Sequence, residues 1–419
     1  MNVTKTFGHY VEKLTENDHK RGAQWLLKTG WKAQDFKYKV MPDKRLLPSQ
    51  QYLAAMMMDV MLAPLKDPEH SAIVSVFTPT EILQEFGLHP YNAEGYSCYL
   101  AASEIGSMCI GQAQAEGISE TLCSYHRMFI GAAQMGLLPK PKCIVYTNLT
   151  CDANLLTFRE LANLFDVPCF GIDVPYSQTE ENVDYVADQL KDLVTFLEKV
   201  TGKKISQEGL QERCDRAVRS LKIYRKYQKV RADKYMPTDL VSPLYEFMTN
   251  NVLLGSEEEE RYVKMALKDA EKAPASKGKK IFFMHTLPYW MKSMHQDFWF
   301  NENAQIVGID QSQPVSLNYD ISDPFRAMAH RMVYNHMNGP ATRRIEAGIR
   351  KARRAKADGV IWFNHWGCKH TMGAAQLAKK TFEAEGIPLL VLDGDGCDYA
   401  YGGEGQTATR VEAFLEMLD

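Results

Sequence analysis

No Cys-x-x-Cys pair occurs anywhere in the 419 residues. Zinc ribbons and ferredoxin-type clusters draw their ligands from such close pairs, so any metal must be gathered from cysteines that meet only in the folded chain. Also absent are G-x4-G-K-[S/T] and G-x-G-x-x-G, the loops that cradle phosphates in nucleotide sites, which argues against ATP hydrolysis by this chain. Basic residues are not in excess: 49 Lys and Arg stand against 52 Asp and Glu, for a formal charge of -3. Nucleic acid is therefore not an expected partner. No apolar run approaches the roughly 18 residues of a membrane span, and the opening MNVTKTFGHYVEKL has no apolar signal core. The expectation is a soluble cytoplasmic protein with no membrane partner.

What is present is length enough for two or three domains, at roughly 100 to 200 residues each. Helical patterning around WLLKTGW and QQYLAAMMMDVMLAPL fills a lead-in over residues 1–70. Short apolar runs rich in valine and isoleucine then alternate with amphipathic stretches. This is the signature of an α/β fold with mainly parallel sheets, Rossmann-like (flavodoxin-like) in type. AIVSVF, KCIVYTN and PCFGIDV supply strands to a first α/β domain over 71–204. A charged helical connector spans 205–278, and KIFFMHT, AQIVGID, GVIWFNH and PLLVLDGD supply a second α/β domain over 279–419. Polar and sulfur residues collect where strands end, at 148–152, 173, 285, 364–370 and 393–398. Open α/β sheets bind ligands at the carboxyl ends of their strands; facing domains would share one cleft there.

Nine cysteines, an odd number with no export signal, make a disulfide framework improbable and leave buried thiols, a nucleophile or metal ligands. Cys151, Cys368 and Cys397 fall in loops after strands, where helix N-termini and backbone amides stabilise negative sulfur. Cys397 lies in LDGDGCDYAYGG, a turn too polar for a core, whose Asp393, Asp395 and Asp398 fit either a divalent ion or a tight turn. Cys98 and Cys123 fall on predicted helices, which Ser97 or Ser119 would cap, with His126 and Arg127 adding positive character beside Cys123. Cys109, Cys143, Cys169 and Cys214 read as structural thiols. Zinc on Cys368, His365 and His370, or a cysteine nucleophile with a histidine base, is a weaker reading than several thiolates around one iron-sulfur cluster. The basic stretch ATRRIEAGIRKARRAKADG reads as a solvated helix.

With the thiols sorted, ETLCSYHRMFIG, YTNLTCDANL, GIDVPY, PLYEF and DGVIWFNHWGCKHTMGAAQLAKK together resemble the 2-hydroxyacyl-CoA dehydratase and benzoyl-CoA reductase family. The resemblance covers most of the chain. It implies two α/β domains plus a helical region, and a cluster held by Cys123, Cys151 and Cys368. Two further thiols depart from the dehydratase pattern. Cys98 stands where dehydratase subunits resemble P-E-N-x-A-A, and Cys397 stands in a turn that usually has none. Both are similar to the double-cubane cluster branch, whose 8Fe-9S cluster sits in a homodimer. Six ligands would be wanted; Cys98, Cys123, Cys151, Cys368 and Cys397 supply five, with Cys109, Cys143 and Cys214 as the pool for the sixth.

The resemblance implies a low-potential iron-sulfur reductase of anaerobes, fed single electrons by a separate ATP-hydrolysing iron-sulfur activator and acting on a small molecule. Arg127 and Lys369 would tune the cluster, and His126, His365 and His370 would deliver protons or only hydrogen-bond their loops. The alternatives are a dehydratase subunit with a 4Fe-4S cluster and a heterodimeric partner, and a non-redox iron-sulfur scaffold or carrier.

Overall fold

The computed structural model describes residues 3–312, 320–401 and 404–418. It contains two four-stranded sheets, every pairing parallel. Strands β1 (Ser71–Val74), β2 (His89–Asn92), β3 (Cys143–Thr147) and β4 (Cys169–Ile172) make the first, in the order β2-β1-β3-β4. Strands β5 (Lys279–Met284), β6 (Ala304–Ile309), β7 (Gly359–His365) and β8 (Leu389–Gly394) make the second, in the order β6-β5-β7-β8. The α/β class with parallel sheets is as expected, and both sheets are built on one plan. In each the chain direction across the sheet reverses beside the first strand, between β1 and β3 and between β5 and β7, and a crevice opens above each reversal.

The strand β2 was missing from the sequence reading. Its HPYN carries a proline and an asparagine and no apolar run, which only an edge strand tolerates, and β2 is an edge.

Residues alternate between the faces of each sheet, and both faces are covered. Ile73, Ile144 and Tyr146 join one core, while Ala72, Val74 and Val145 join another. In the second sheet Ile281, Phe283, Ile361 and Phe363 point one way, and Phe282, Met284, Val360 and Trp362 the other. Such two-sided burial explains why the strands read as continuous apolar runs.

Three helices, Val3–Glu16, Lys20–Val40 and Pro48–Lys66, precede the first sheet. Three more, Gln207–Arg231, Ser242–Val252 and Glu257–Lys272, lie between the sheets in sequence. Glu246 of PLYEF is buried at their centre, accepting from the hydroxyls of Tyr224, Tyr227 and Tyr262 and pairing with Arg231. A buried carboxylate is tolerable when its lone pairs are filled in this way, so this motif holds helices together.

The helix Ala341–Arg354 is not the solvated helix expected: Arg344 and Lys351 are buried on its inner face. Their aliphatic stems follow the apolar side while their heads meet Asp310.

Candidate active site

The loops at the two reversals line one cavity of about 1140 Å³. Val76 and Phe77 follow β1, Thr150 and Cys151 follow β3, His285 and Thr286 follow β5, and Gly367 and Cys368 follow β7. Cys98 and Cys123 complete the sulfur on its wall. Two of the loop residues, Thr150 (φ 70°) and His285 (φ 87°), hold left-handed backbone that β-branched and bulky side chains avoid. Such strain persists only where the surroundings impose it.

Three thiols stand at helix N-termini. Cys123 is the N-cap of Ser124–Gln134 and Cys368 the N-cap of Lys369–Met372, while Cys151 precedes Asn154–Phe165. Neither Ser97 nor Ser119 caps a helix here. Asn92 caps Ala93–Ala102, and Ser97 lies inside that helix, bonding back to the Ala93 carbonyl. Backbone N–H groups of Tyr125 reach the Cys123 sulfur, and those of Ala153 and Asn154 reach Cys151. Burial first, and then the neighbouring thiols, push Cys123 well above the ordinary thiol range; burial and Cys368 push Cys151 up to about 12. All three thiols are half-buried. As ligands of a metal these thiols would ionise, and the amides at Cys123 and Cys151 already face that charge.

Gly367 shows how closely the two halves meet. At φ 81° a Cβ on it would lie 2.7 Å from the Cα and 2.8 Å from the N of Cys123. Only glycine lets the β7 loop press against the turn that carries Cys123. Tyr125, two residues on, bonds Thr286 at 3.0 Å and the Gly396 carbonyl at 3.2 Å, tying the same turn to the second sheet.

The histidines serve sulfur and loops. His365 accepts the Gly396 N–H on Nδ1 at 3.0 Å, so Nε2 carries the proton and donates to Cys123 Sγ at 3.2 Å. His126 Nε2 lies 3.5 Å from Cys151 Sγ, and burial pushes His126 down to about 4. His370 accepts from Arg344 on Nδ1 and gives its Nε2 proton to the Met337 carbonyl, so both nitrogens are committed. Cys368, His365 and His370 therefore do not converge as a zinc site. Among the described residues no three His, Cys, Asp or Glu side chains do. Arg127 is buried away from the cavity wall, its Nε donating to the Leu122 carbonyl, where it braces the Cys123 turn. Lys369 is exposed and reaches the cavity rim.

Cys397 is buried despite its polar turn, packed on Met128 and hydrogen-bonded with Cys98. The polarity is consumed locally, because Asp395 accepts from the N–H groups of Cys397 and Asp398 and from Ser124. Asp393 accepts from Asn364, so the acids form a tight turn and do not gather for an ion. Gly402 and Gly403 of this stretch lie outside the described residues. Cys109, Cys143 and Cys214 are buried in cores and do not line the cavity; Cys143 and Cys169 open β3 and β4, at the opposite ends of those strands.

The residue missed in the sequence is Glu94. It lines the cavity from the first turn of Ala93–Ala102, accepting from the Val76 N–H at 3.3 Å and Asn92 Nδ2 at 2.9 Å. Burial pushes it up to about 7. A carboxyl with that poise can give or take a proton at neutral pH.

The family described as 2-hydroxyglutaryl-CoA dehydratase, D-component, matches residues 75–418. Lactoyl-CoA dehydratase subunit alpha from Anaerotignum propionicum is 25% identical over 382 residues, covering 81% of this chain and 89% of its own. The (R)-2-hydroxyglutaryl-CoA dehydratase subunit alpha from Acidaminococcus fermentans is 24% identical over 303 residues, covering 67% and 61%. A beta subunit is similar too: that of (R)-phenyllactyl-CoA dehydratase from Clostridium sporogenes, 24% identical over 363 residues, covering 82% and 90%.

Proposed function

The chain belongs to the 2-hydroxyglutaryl-CoA dehydratase D-component family, and from that membership we propose that it removes water from a 2-hydroxyacyl thioester, using an iron-sulfur cluster held by Cys123, Cys151 and Cys368. One observation carries the reading: three thiols stand at helix N-termini on one cavity wall. A single ion needs donors that converge on a point, whereas a cubane offers its irons at separate corners. Thiols brought to one large cavity by three different loops fit the larger group. When bound, such a cluster supplies single electrons at low potential and an iron that acts as a Lewis acid.

The chain's own residues supply the rest. Loss of water takes a hydroxyl from C2 of the acyl group and a hydrogen from C3, and Glu94 is the cavity group suited to hold or release that proton. His365 and His126 direct ring nitrogens at Cys123 and Cys151 and so tune the cluster through its ligands. With no phosphate-binding loop in this sequence, electrons come from a separate ATP-hydrolysing activator. A second, non-identical subunit completes the enzyme, as the alpha and beta names of its relatives favour.

A second reading rests on the Cys98–Cys397 contact. Two more thiols beside Cys123 favour an 8Fe-9S double cubane in a homodimeric reductase of small molecules. Iron and acid-labile sulfide per chain after anaerobic purification decide between them. About four irons support the dehydratase, about eight the double cubane, and none overturns both. Cys397→Ser leaves iron unchanged in the first case and lowers it in the second.

A further inference from the structure

Three imidazoles on the cavity wall serve other groups. His365 and His370 have both ring nitrogens in hydrogen bonds, and His126 turns Nε2 to Cys151. His285, the first residue after β5, differs. It is half-buried and lines the cavity, with its ring centroid 5.9 Å from that of His365, the ring that serves Cys123. Two residues of the short turn after β6 fix it in place. Asp310 accepts its backbone N–H at 2.7 Å and so holds the left-handed φ of 87°. Gln311 Nε2 reaches the ring at Nδ1, 3.3 Å away. An amide nitrogen only donates, so Nδ1 accepts and the ring proton sits on Nε2. That N–H has no hydrogen-bond partner among the described residues.

The charge of the ring is fixed as well. The Asp310 carboxylate is already paired with Arg344 Nε at 2.7 Å, so it does little to favour an imidazolium beside it. Burial first, and then Arg344, push His285 well below the ordinary imidazole range. The ring is therefore neutral, with one N–H held rigid in a cavity shielded from bulk water. Such a donor suits an oxygen on which negative charge develops, because nothing has to reorganise as the charge forms.

We propose that His285 is a further catalytic residue, donating Nε2–H to the carbonyl oxygen of the bound thioester. The inference rests on the reading that the cavity takes a 2-hydroxyacyl thioester, and adds to it the group that receives the carbonyl. Release of the C3 proton is eased by charge flowing toward that oxygen, and the hydrogen bond strengthens as it does. Glu94 handles the proton that leaves C3. His285 keeps its own, so no bond to the ring forms or breaks.

The test is isotope-edited infrared spectroscopy of the anaerobically purified full chain with acetyl-CoA labelled at its carbonyl carbon, a thioester with no hydroxyl to lose. A carbonyl that accepts a hydrogen bond stretches at lower frequency. In the wild type the bound carbonyl is expected below its position in His285→Phe, which fills the same space without a donor. His285→Gln, whose amide nitrogen reaches the Nε2 position, is expected to restore the wild-type frequency. Should His285→Phe fail to fold on left-handed backbone, His285→Asn replaces it, because asparagine tolerates that backbone and its amide stops short of the Nε2 position. Equal frequencies in the wild type and the variant without the donor overturn the proposal. So does His285→Gln behaving like His285→Phe, the mark of a merely structural ring. Iron and acetyl-CoA uptake are measured on the same samples. A chain that takes up the thioester without the shift loses this inference alone, whereas a chain that holds iron and takes up none loses the acyl-thioester reading and this inference with it.

Discussion

Glu94 illustrates what a single side chain can hide in a sequence. An acid in the first turn of a helix is ordinary, since it complements the helix dipole. What sets this one apart is the packing that removes its water and leaves it about half-ionised near neutrality. Replacing it by glutamine keeps the shape and removes the proton. Turnover is expected to fall about 10²- to 10³-fold while iron per chain is unchanged, and the variant's pH-rate profile should lose the limb near 7 that the wild type shows. The cysteines were more legible, because sulfur after a strand end is rare enough to notice. Cys397 was half-legible: its position was plain, but its burial depended on Asp395 absorbing the polarity of the turn. Arg344 and Lys351 could not be read at all, since a basic helix looks alike whether its inner face meets water or Asp310.

Among the elements, the loop after β7 carries the clearest constraint. Gly367 is left-handed and faces the Cys123 backbone at a distance no Cβ can occupy. Gly367→Ala is expected to cost about 1–3 kcal/mol of stability through strain and overpacking. It should also lower iron per chain, because the Cys368 turn must retreat from Cys123. Denaturant unfolding and an iron assay on the same preparation check both. Seven of the eight strands were visible as apolar runs, since strands covered on both faces need apolar residues throughout. The missing β2 shows the converse, as an edge strand of four residues needs no such run. Helix caps were harder. Asn92 and Cys123 take the positions that nearby serines offered equally well on paper.

At the scale of the molecule, two sheets of identical order bring their reversal loops to one cavity, and burial elsewhere leaves a mark on stability. Glu259, in Glu257–Lys272, is fully buried, and burial pushes it up from 4.5 to about 8. Because its native pKa lies above the ordinary value, the folded chain alone keeps this proton between those limits. The resulting stabilisation is complete below about pH 4.5 and is lost as pH rises through about 8. Glu259→Gln has no proton to lose. Its stability relative to the wild type is expected to grow by roughly 4 kcal/mol between pH 5 and pH 9 in denaturant titrations, at about 1.4 kcal/mol per pKa unit.

By itself the sequence determined the class of fold and the family, because strand periodicity and the residues of short motifs are local properties that survive in one dimension. Only the tertiary structure decided which thiols face one cavity, which histidines point at sulfur, and that Glu94 and Arg344 belong to the same wall. Those facts depend on burial and on contacts between residues hundreds of positions apart, such as Cys123 with His365, and neither spacing nor composition encodes them.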